Sequence, residues 1–392
     1  MLNTILNRQD SIFSKDFKVN EKKISHLISK SSFLILGGAG SIGQAVVKLI
    51  LKYNPQRLHV VDISENNLVE LVRDVRSQDL DIIDDFKTFP IDIGSKIYDS
   101  FFNDDGNYDY MINLSALKHV RSEKNYYSMS RMIEVNILNT VKTIEQSIQK
   151  NIKKYFCVST DKATNPENFM GATKRAMELI LFYYSNKISV SSARFANVAF
   201  SDGSLLDSFN NRLKKRQPIS APNDVKRYFM SANEAGELCL FSTLFGKNRE
   251  IYLPKLSKDH LKSFKFIAEK FLEENGYEPY LCDENEAKKE IIKLVMKKKW
   301  PCVFNKSNTT GEKMIEEFYG IEDQLDKHSY EKIAFIKNEL IGRQTDLEEF
   351  LNDLIENNQK LNLSKQELIK LFKKIIPEFK HFEFKSNLDE KM

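Results

Sequence analysis

Three glycines at GxxGxxG spacing, Gly37, Gly40 and Gly43, stand between the apolar run Phe33-Leu-Ile-Leu36 and a helix-prone stretch that begins at Ser41. A buried strand, a tight turn and a helix must therefore follow one another without a break. Glycine permits the turn, lets backbone amides approach a phosphate, and allows the helix to pack close to the strand, while the helix N-terminus favours negative charge. A second apolar run, Leu58-His-Val-Val61, closes on Asp62, the acidic residue that such a unit uses to hold an adenosine ribose. The Asp62 charge would repel a 2′-phosphate, so NAD is favoured and NADP is the alternative. Ser41, Ile42 and Ser64 complete the expected cofactor contacts, with Asp92 and Ile93 after the third strand placed to meet the adenine.

Short apolar segments then alternate with helical lengths. Tyr110-Met-Ile-Asn-Leu114 and Tyr155-Phe-Cys-Val158 read as strands, and long helices fit Tyr126 to Lys150 and Asn168 to Ser185. This rhythm predicts an α/β fold, a doubly wound parallel sheet covered by helices on both faces. From about Val198 it becomes irregular, broken by Gly203, Pro218 and Pro222, as a substrate-capping lobe would be. The expected division is an N-terminal arm over 1–31, a cofactor-binding core with the catalytic residues over 32–197, an interleaved substrate-binding lobe over 198–325, and a helical C-terminal extension over 326–392. Ile24, Leu27 and Ile28 lay the arm on the surface; Leu351, Leu354, Ile355 and then Leu368, Leu371, Phe372, Ile375 give the extension its apolar stripes.

Composition narrows the function by exclusion. With 59 basic and 55 acidic residues the formal charge is +4, so nothing demands nucleic acid or an anionic membrane as partner. The four cysteines (157, 239, 282 and 302) form no CxxC pair and read as reduced thiols; the six histidines show no ligand spacing, and no metal is expected. No apolar run is long enough for a membrane span and no signal peptide is visible, so a soluble cytoplasmic protein is expected.

Chemistry concentrates in Ser159-Thr-Asp-Lys-Ala-Thr-Asn-Pro166 followed by Met170-Gly-Ala-Thr-Lys174. Together with Gly37 to Gly43, Asn113-Leu-Ser-Ala-Leu-Lys-His-Val120, Arg194-Phe-Ala-Asn-Val198, Arg227-Tyr-Phe-Met230 and Gly311-Glu-Lys313, these stretches make the chain resemble the extended short-chain dehydrogenase/reductases, within them the UDP-N-acetylglucosamine 4,6-dehydratases of bacterial polysaccharide synthesis. The resemblance covers about residues 32 to 320. It implies tightly bound NAD recycled in each turnover: C4 is oxidised, a base takes the C5 proton, the C6 hydroxyl leaves with a proton, and the hydride returns to C6.

By the same resemblance Asp161 is the acid at C6, Lys162 the base at C5, Thr160 polarises the C4 oxygen, and Lys174 meets the nicotinamide ribose. Met170 stands where the superfamily places a tyrosine, so the C4 hydroxyl proton is assigned to Asp161. Lys162 acts as a base only if its amine is neutral, a drop of about 3 units costing roughly 4 kcal/mol. Lys118 is expected at both ligands, and Asn197, Ser204 and Arg227 at the substrate, UDP-N-acetylglucosamine or a related nucleotide sugar, with Arg227 on the diphosphate. His119 reads as a packed residue, and Glu312 and Lys313 carry no assigned role. Arg121 replaces the family's usual proline and Asp202 a common arginine. A homo-oligomer is expected, with Tyr126 to Lys150 in an intersubunit bundle. The alternatives are a 4-epimerase of the same superfamily and a non-catalytic NAD-binding scaffold.

Overall fold

The computed structural model describes residues 2–6, 8–78, 82–119, 123, 125–306, 316–339, 344–361 and 363–381. Its strands are β1 (Ser32–Leu36), β2 (Arg57–Asp62), β3 (Phe86–Pro90), β4 (Tyr110–Asn113), β5 (Lys154–Val158), β6 (Ser189–Ala193), β7 (Asn197–Val198), β8 (Ile219–Pro222), β9 (Lys226–Met230), β10 (Glu250–Pro254), β11 (Leu261–Ser263), β12 (Glu278–Leu281), β13 (Lys299–Asn305), β14 (Gln324–Asp326) and β15 (Ile333–Lys337). Nine of them make one sheet in the order β14-β15-β10-β6-β5-β4-β1-β2-β3. From β3 to β10 every pairing is parallel; β15 and β14 add an antiparallel edge.

The expected doubly wound α/β sheet is therefore the fold. Phe33, Leu34, Ile35 and Leu36 are fully buried, as are Tyr155, Phe156 and Cys157, because helices cover both faces. Burying such a side chain contributes about 1.5–3 kcal/mol, so these continuous apolar runs are stable only at the centre of a sheet. The helix Ser41–Leu51 packs on the helix Ala232–Phe245 at close range; a Cβ on Gly236 would lie 2.8 Å from the Ala45 Cβ. Strand order reverses between β1 and β4, and the crevice at that switch point is where such sheets bind ligands.

The remaining strands build the lobe as two small sheets, β11-β9-β7 and β12-β13-β8. Its own core holds Phe209, Ile267, Phe271 and Trp300.

Three expectations change. The extension does not begin as helix at 326: Ile333–Lys337 pairs antiparallel with β10 and is buried over Ile333 to Ile336, so the sheet runs on to residue 337. Helices follow only at Gln344–Lys360 and Lys365–Ile375, and they pack on the helix Phe169–Tyr184, with the Phe372 ring 4.7 Å from Phe169 and 5.1 Å from Phe350. The helix over Tyr126 to Lys150 is split by a π-turn at Glu134–Leu138, and the Tyr126 hydroxyl donates to Asn357 Oδ1 (3.1 Å), so part of the face expected at a subunit interface is covered from within the chain. The N-terminal arm is more than a surface attachment. Phe13, Ile24 and Ile28 are fully buried, and both Asp16 carboxylate oxygens accept backbone amides, from Glu331 and Lys332 (2.7 Å each). Among the described residues no helix is long and apolar enough to cross a membrane.

Candidate active site

At the switch-point crevice opens a cavity of about 1120 Å³. Its floor is the glycine loop. Gly37 has φ +71°, and a Cβ there would stand 2.7 Å from the Ser115 amide nitrogen; a Cβ on Gly43 would lie 2.4 Å from the Gly37 carbonyl oxygen. Both positions thus require glycine, one for backbone conformation and one for close approach. Gly40 is the N-cap of the helix Ser41–Leu51 and no side chain caps that helix, so its first turn faces the cavity through Gly40, Ser41, Ile42 and Gly43.

Asp62 braces this loop: one carboxylate oxygen accepts from the Ala39 amide and the other from the Ser64 amide (2.9 Å each). Ser64 itself caps the next helix by accepting from Asn67 N. Asp92 accepts from Gly94 N (2.8 Å) and pairs with Arg131, and Ile93 is buried. None of Asp62, Ser64, Asp92 and Ile93 lines the cavity, although Asp62 and, through it, Ser64 are joined to the glycine loop.

The cavity wall holds the chemistry. Thr160 ends the loop after β5, and its Oγ1 donates to Asp161 Oδ1 (2.8 Å). Lys162 Nζ donates to both oxygens of Asp161 (3.1 and 3.4 Å). Asp161 is 4% exposed, whereas the Lys162 side chain retains 31% exposure into the cavity. One helix abuts this pair. Asn168 caps it by accepting from Gly171 N (2.7 Å), and a Cβ on Gly171 would meet the Lys162 carbonyl oxygen at 2.3 Å, so the helix lies against the backbone of the catalytic loop.

Met170 and Lys174 lie one turn apart on that helix and both line the cavity. Met170 is 3% exposed, and its amide donates to Glu123 Oε1 (3.0 Å). Lys174 Nζ is buried with no hydrogen-bond partner among the described residues, and burial holds its pKa below the usual lysine value. An orphaned amine beside an uncapped glycine turn fits a dinucleotide whose ribose hydroxyls would accept from it.

Lys118 Nζ donates to Ser201 Oγ (3.3 Å), and its pKa is lowered by burial against the opposing pull of Asp202 and Asp207. His119 packs against Gly203, where a Cβ would come within 2.9 Å of its ring. Asp202 N donates to Ser41 Oγ (2.9 Å), joining the lobe to the glycine loop. Ser204, although at the cavity, accepts from Asp207 N (3.1 Å) as a helix cap. Asn197 and Arg227 line the cavity as well. Arg121, Glu312 and Lys313 lie outside the described residues.

Burial pulls Lys162 down, but the negative charges of Asp161 and Glu316 outweigh it, and its pKa stands above the usual lysine value. With these neighbours alone Lys162 is an ammonium, and the neutral base requires a further positive charge or the loss of a negative one.

Three groups escaped the sequence reading. Glu178 is fully buried behind the loop, taking Ser159 Oγ (2.6 Å) and a two-pronged contact from Arg194 (2.8 and 2.6 Å), while Arg194 also reaches Thr164 Oγ1 and Phe318 O (2.9 Å each). Helical spacing alone gives an inward-facing glutamate no distinguishing mark. Asn136, inside the π-turn, holds Leu117 through its amide N and carbonyl O (2.9 and 3.0 Å) and donates to Thr173 Oγ1 (3.0 Å). Glu316 accepts from Asn197 Nδ2 and from Tyr228 N (2.8 Å), with Arg227 Nε 4.0 Å away. Burial, then the charge of Asp161, pushes its carboxyl up to about 8.

Residues 33–338 match the family model described as polysaccharide biosynthesis protein. The chain belongs to that family. It is 32% identical to the uncharacterized membrane protein MJ1061 of Methanocaldococcus jannaschii over 263 residues, 65% of this chain and 76% of that one. It is 28% identical over 240 residues to a UDP-N-acetylglucosamine 4,6-dehydratase (inverting) of Campylobacter jejuni, 59% of this chain and 68% of the other. A UDP-glucose 4-epimerase of Rickettsia typhi is similar to the same degree, 29% over 233 residues, 57% of this chain and 66% of the other. The solved structure of Pen from Bacillus thuringiensis shares the fold, with a TM-score of 0.64 at 24% identity over 85% of this chain and 98% of that one.

Proposed function

We propose that the chain is a nucleotide-sugar 4,6-dehydratase that uses NAD and converts UDP-N-acetylglucosamine, or a close relative, to a 4-keto-6-deoxy sugar for surface-glycan synthesis. The carrying observation is the Thr160–Asp161–Lys162 group, in one cavity with Met170, Lys174, Asn197 and Arg227. A 4-epimerase needs no acid and base at C6 and C5, and both similar relatives leave the choice to these residues. The cavity exceeds the usual small-ligand pocket of about 300–1,000 Å³, in keeping with a dinucleotide and a nucleotide sugar side by side.

Gly37 to Gly43, Asp62 and Lys174 would hold the dinucleotide, with Ser64, Asp92 and Ile93 at its adenosine end and Lys118 between it and the sugar. When bound, NAD would supply the hydride-transfer chemistry between C4 and C6. Thr160 lies in line to pass the C4 hydroxyl proton to Asp161, the oxygen it already contacts. Asp161 then gives this proton to the departing C6 oxygen. Lys162, once neutral, removes the C5 proton and later restores one at C5. Each group thus accepts one proton and returns one per turnover, and the loss of one water balances the reaction. Met170 takes no proton; it keeps water from the wall where a phenol would otherwise sit.

Incubation with UDP-N-acetylglucosamine in heavy water tests this. The expected product has lost one water and carries one carbon-bound deuterium at C5 by NMR. Unchanged mass with every common sugar nucleotide, or a C4 epimer free of carbon-bound deuterium, sinks the proposal.

A further inference from the structure

Glu316 takes no step in the proposed reaction. Its side chain is 2% exposed, yet it sits in the wall of the cavity and collects the Asn197 amide and the Tyr228 backbone N–H, with the Arg227 guanidinium 4.0 Å away. Asn197 and Arg227 are the donors that the dehydratase reading gives to the substrate diphosphate. One carboxylate of the chain therefore lies on groups suited to an anionic ligand.

We propose that Glu316 is an internal stand-in for the substrate diphosphate, occupying its donors in the free protein and yielding them when a nucleoside diphosphate enters, with uptake of a proton wherever it is still ionised. This inference rests on the reading of the site as a nucleotide-sugar pocket.

The surroundings favour that exchange. Among the described residues the charged and titratable groups facing Glu316 are Asp161 and Lys162 from the turn after β5, and Arg227 and the Tyr228 phenol from β9; Asn197 from β7 is neutral. Attraction to Lys162 and Arg227 stabilises the carboxylate, while burial and the Asp161 charge oppose it, and opposition prevails, so the carboxyl holds its proton to about pH 8. A diphosphate arriving at Arg227 adds negative charge beside Glu316 and takes over its cation. Both effects raise the proton affinity of Glu316 further. The gained proton comes from solvent, and no bond other than O–H forms.

The exchange also reaches Lys162. Its amine is kept an ammonium by Asp161 and Glu316 together. Above pH 8, where Glu316 is ionised, neutralising it removes one of these two anchors and moves Lys162 towards the neutral form that the C5 base requires.

The test is UDP binding to the full-length protein and to Glu316→Gln, measured by calorimetry between pH 7 and 9 in buffers of different ionisation enthalpy. Below pH 8 Glu316 already carries its proton and adds no pH dependence. Above it, the wild type must take up a proton to bind, and its Kd weakens by up to about tenfold per pH unit. The variant lacks that requirement. It should bind UDP about tenfold more tightly than wild type at pH 9 with no proton uptake from this group. A gain in binding cannot come from misfolding. Weaker UDP binding by the variant at every pH overturns the inference and makes Glu316 a support for Asn197 and Arg227, and identical pH dependence in the two proteins overturns it as well. Absence of UDP binding by the wild type removes the nucleotide-sugar reading itself, a result distinct from either.

Discussion

Gly171→Ala separates the stability of the fold from the geometry of the site. The added methyl would lie 2.3 Å from the Lys162 carbonyl oxygen, whereas carbon–oxygen contacts of this kind settle near about 3.3–3.6 Å. The helix Phe169–Tyr184 and the Asp161–Lys162 turn must therefore separate by roughly 1 Å. Two energy terms compete. Alanine is better than glycine inside a helix by about 0.8–1 kcal/mol. Overpacking costs about 1–3 kcal/mol, so the net destabilisation is about 0–2 kcal/mol and the melting temperature should fall by only a few degrees. Catalysis is less forgiving, because a displacement of about 1 Å between reacting groups can cost about 10²-fold in rate. Scanning fluorimetry gives the first quantity, and initial rates of 4-keto sugar formation give the second. A variant with kcat within threefold of wild type would refute the claim that helix contact positions Lys162; a variant that fails to fold would show that the clash had been underestimated.

Two further predictions concern buried amines. Lys174→Met removes an amine without a hydrogen-bond partner among the described residues, so the cofactor-free protein should gain about 1–3 kcal/mol while NAD binding weakens; a lower melting temperature with NAD binding unchanged contradicts this. Lys154, whose amine donates to the Ser242 and Gly246 carbonyls, is pushed down to about 7 by burial. An unfolded lysine keeps its proton to about 10.4, so between these values the unfolded chain binds more protons and stability rises with pH. From pH 7 to 9 the wild type should gain about 2–3 kcal/mol relative to Lys154→Met in urea titrations, and parallel curves for the two proteins would exclude the effect.

The features visible in the sequence were those encoded by neighbours along the chain. Gly37, Gly40 and Gly43 specify a turn that only a strand–helix junction can use, and the central strands announce themselves as continuous apolar runs. Ile333-Ala-Phe-Ile336 carried the same signal, but its highly charged flanks made it read as the start of a helical tail; pairing with β10 decided otherwise. The charge on Lys162 was not legible because part of the opposing pull comes from Glu316, more than 150 positions away and with no periodic pattern to mark it. Desolvation was read correctly as a force on the amine; its competitor was not in view. Met170 was legible as an absence, whereas its contact with Glu123 depends on a loop from another part of the sheet.

The two helices after Gln344 have a consequence for biogenesis. They lie beyond the stretch matched by the family, yet Phe372 packs on Phe169, the Lys380 amide donates to the Pro166 carbonyl (2.9 Å), and Glu378 pairs with Arg175. The three contacts fall just before and along the first two turns of the helix that carries Met170 and Lys174. During synthesis the glycine loop can assemble early, since domains fold as the chain emerges, but the catalytic helix lacks its outer wall until residue 380 has left the ribosome. A chain halted before that point would hold the glycine turn without a settled helix to present Met170 and Lys174 to it.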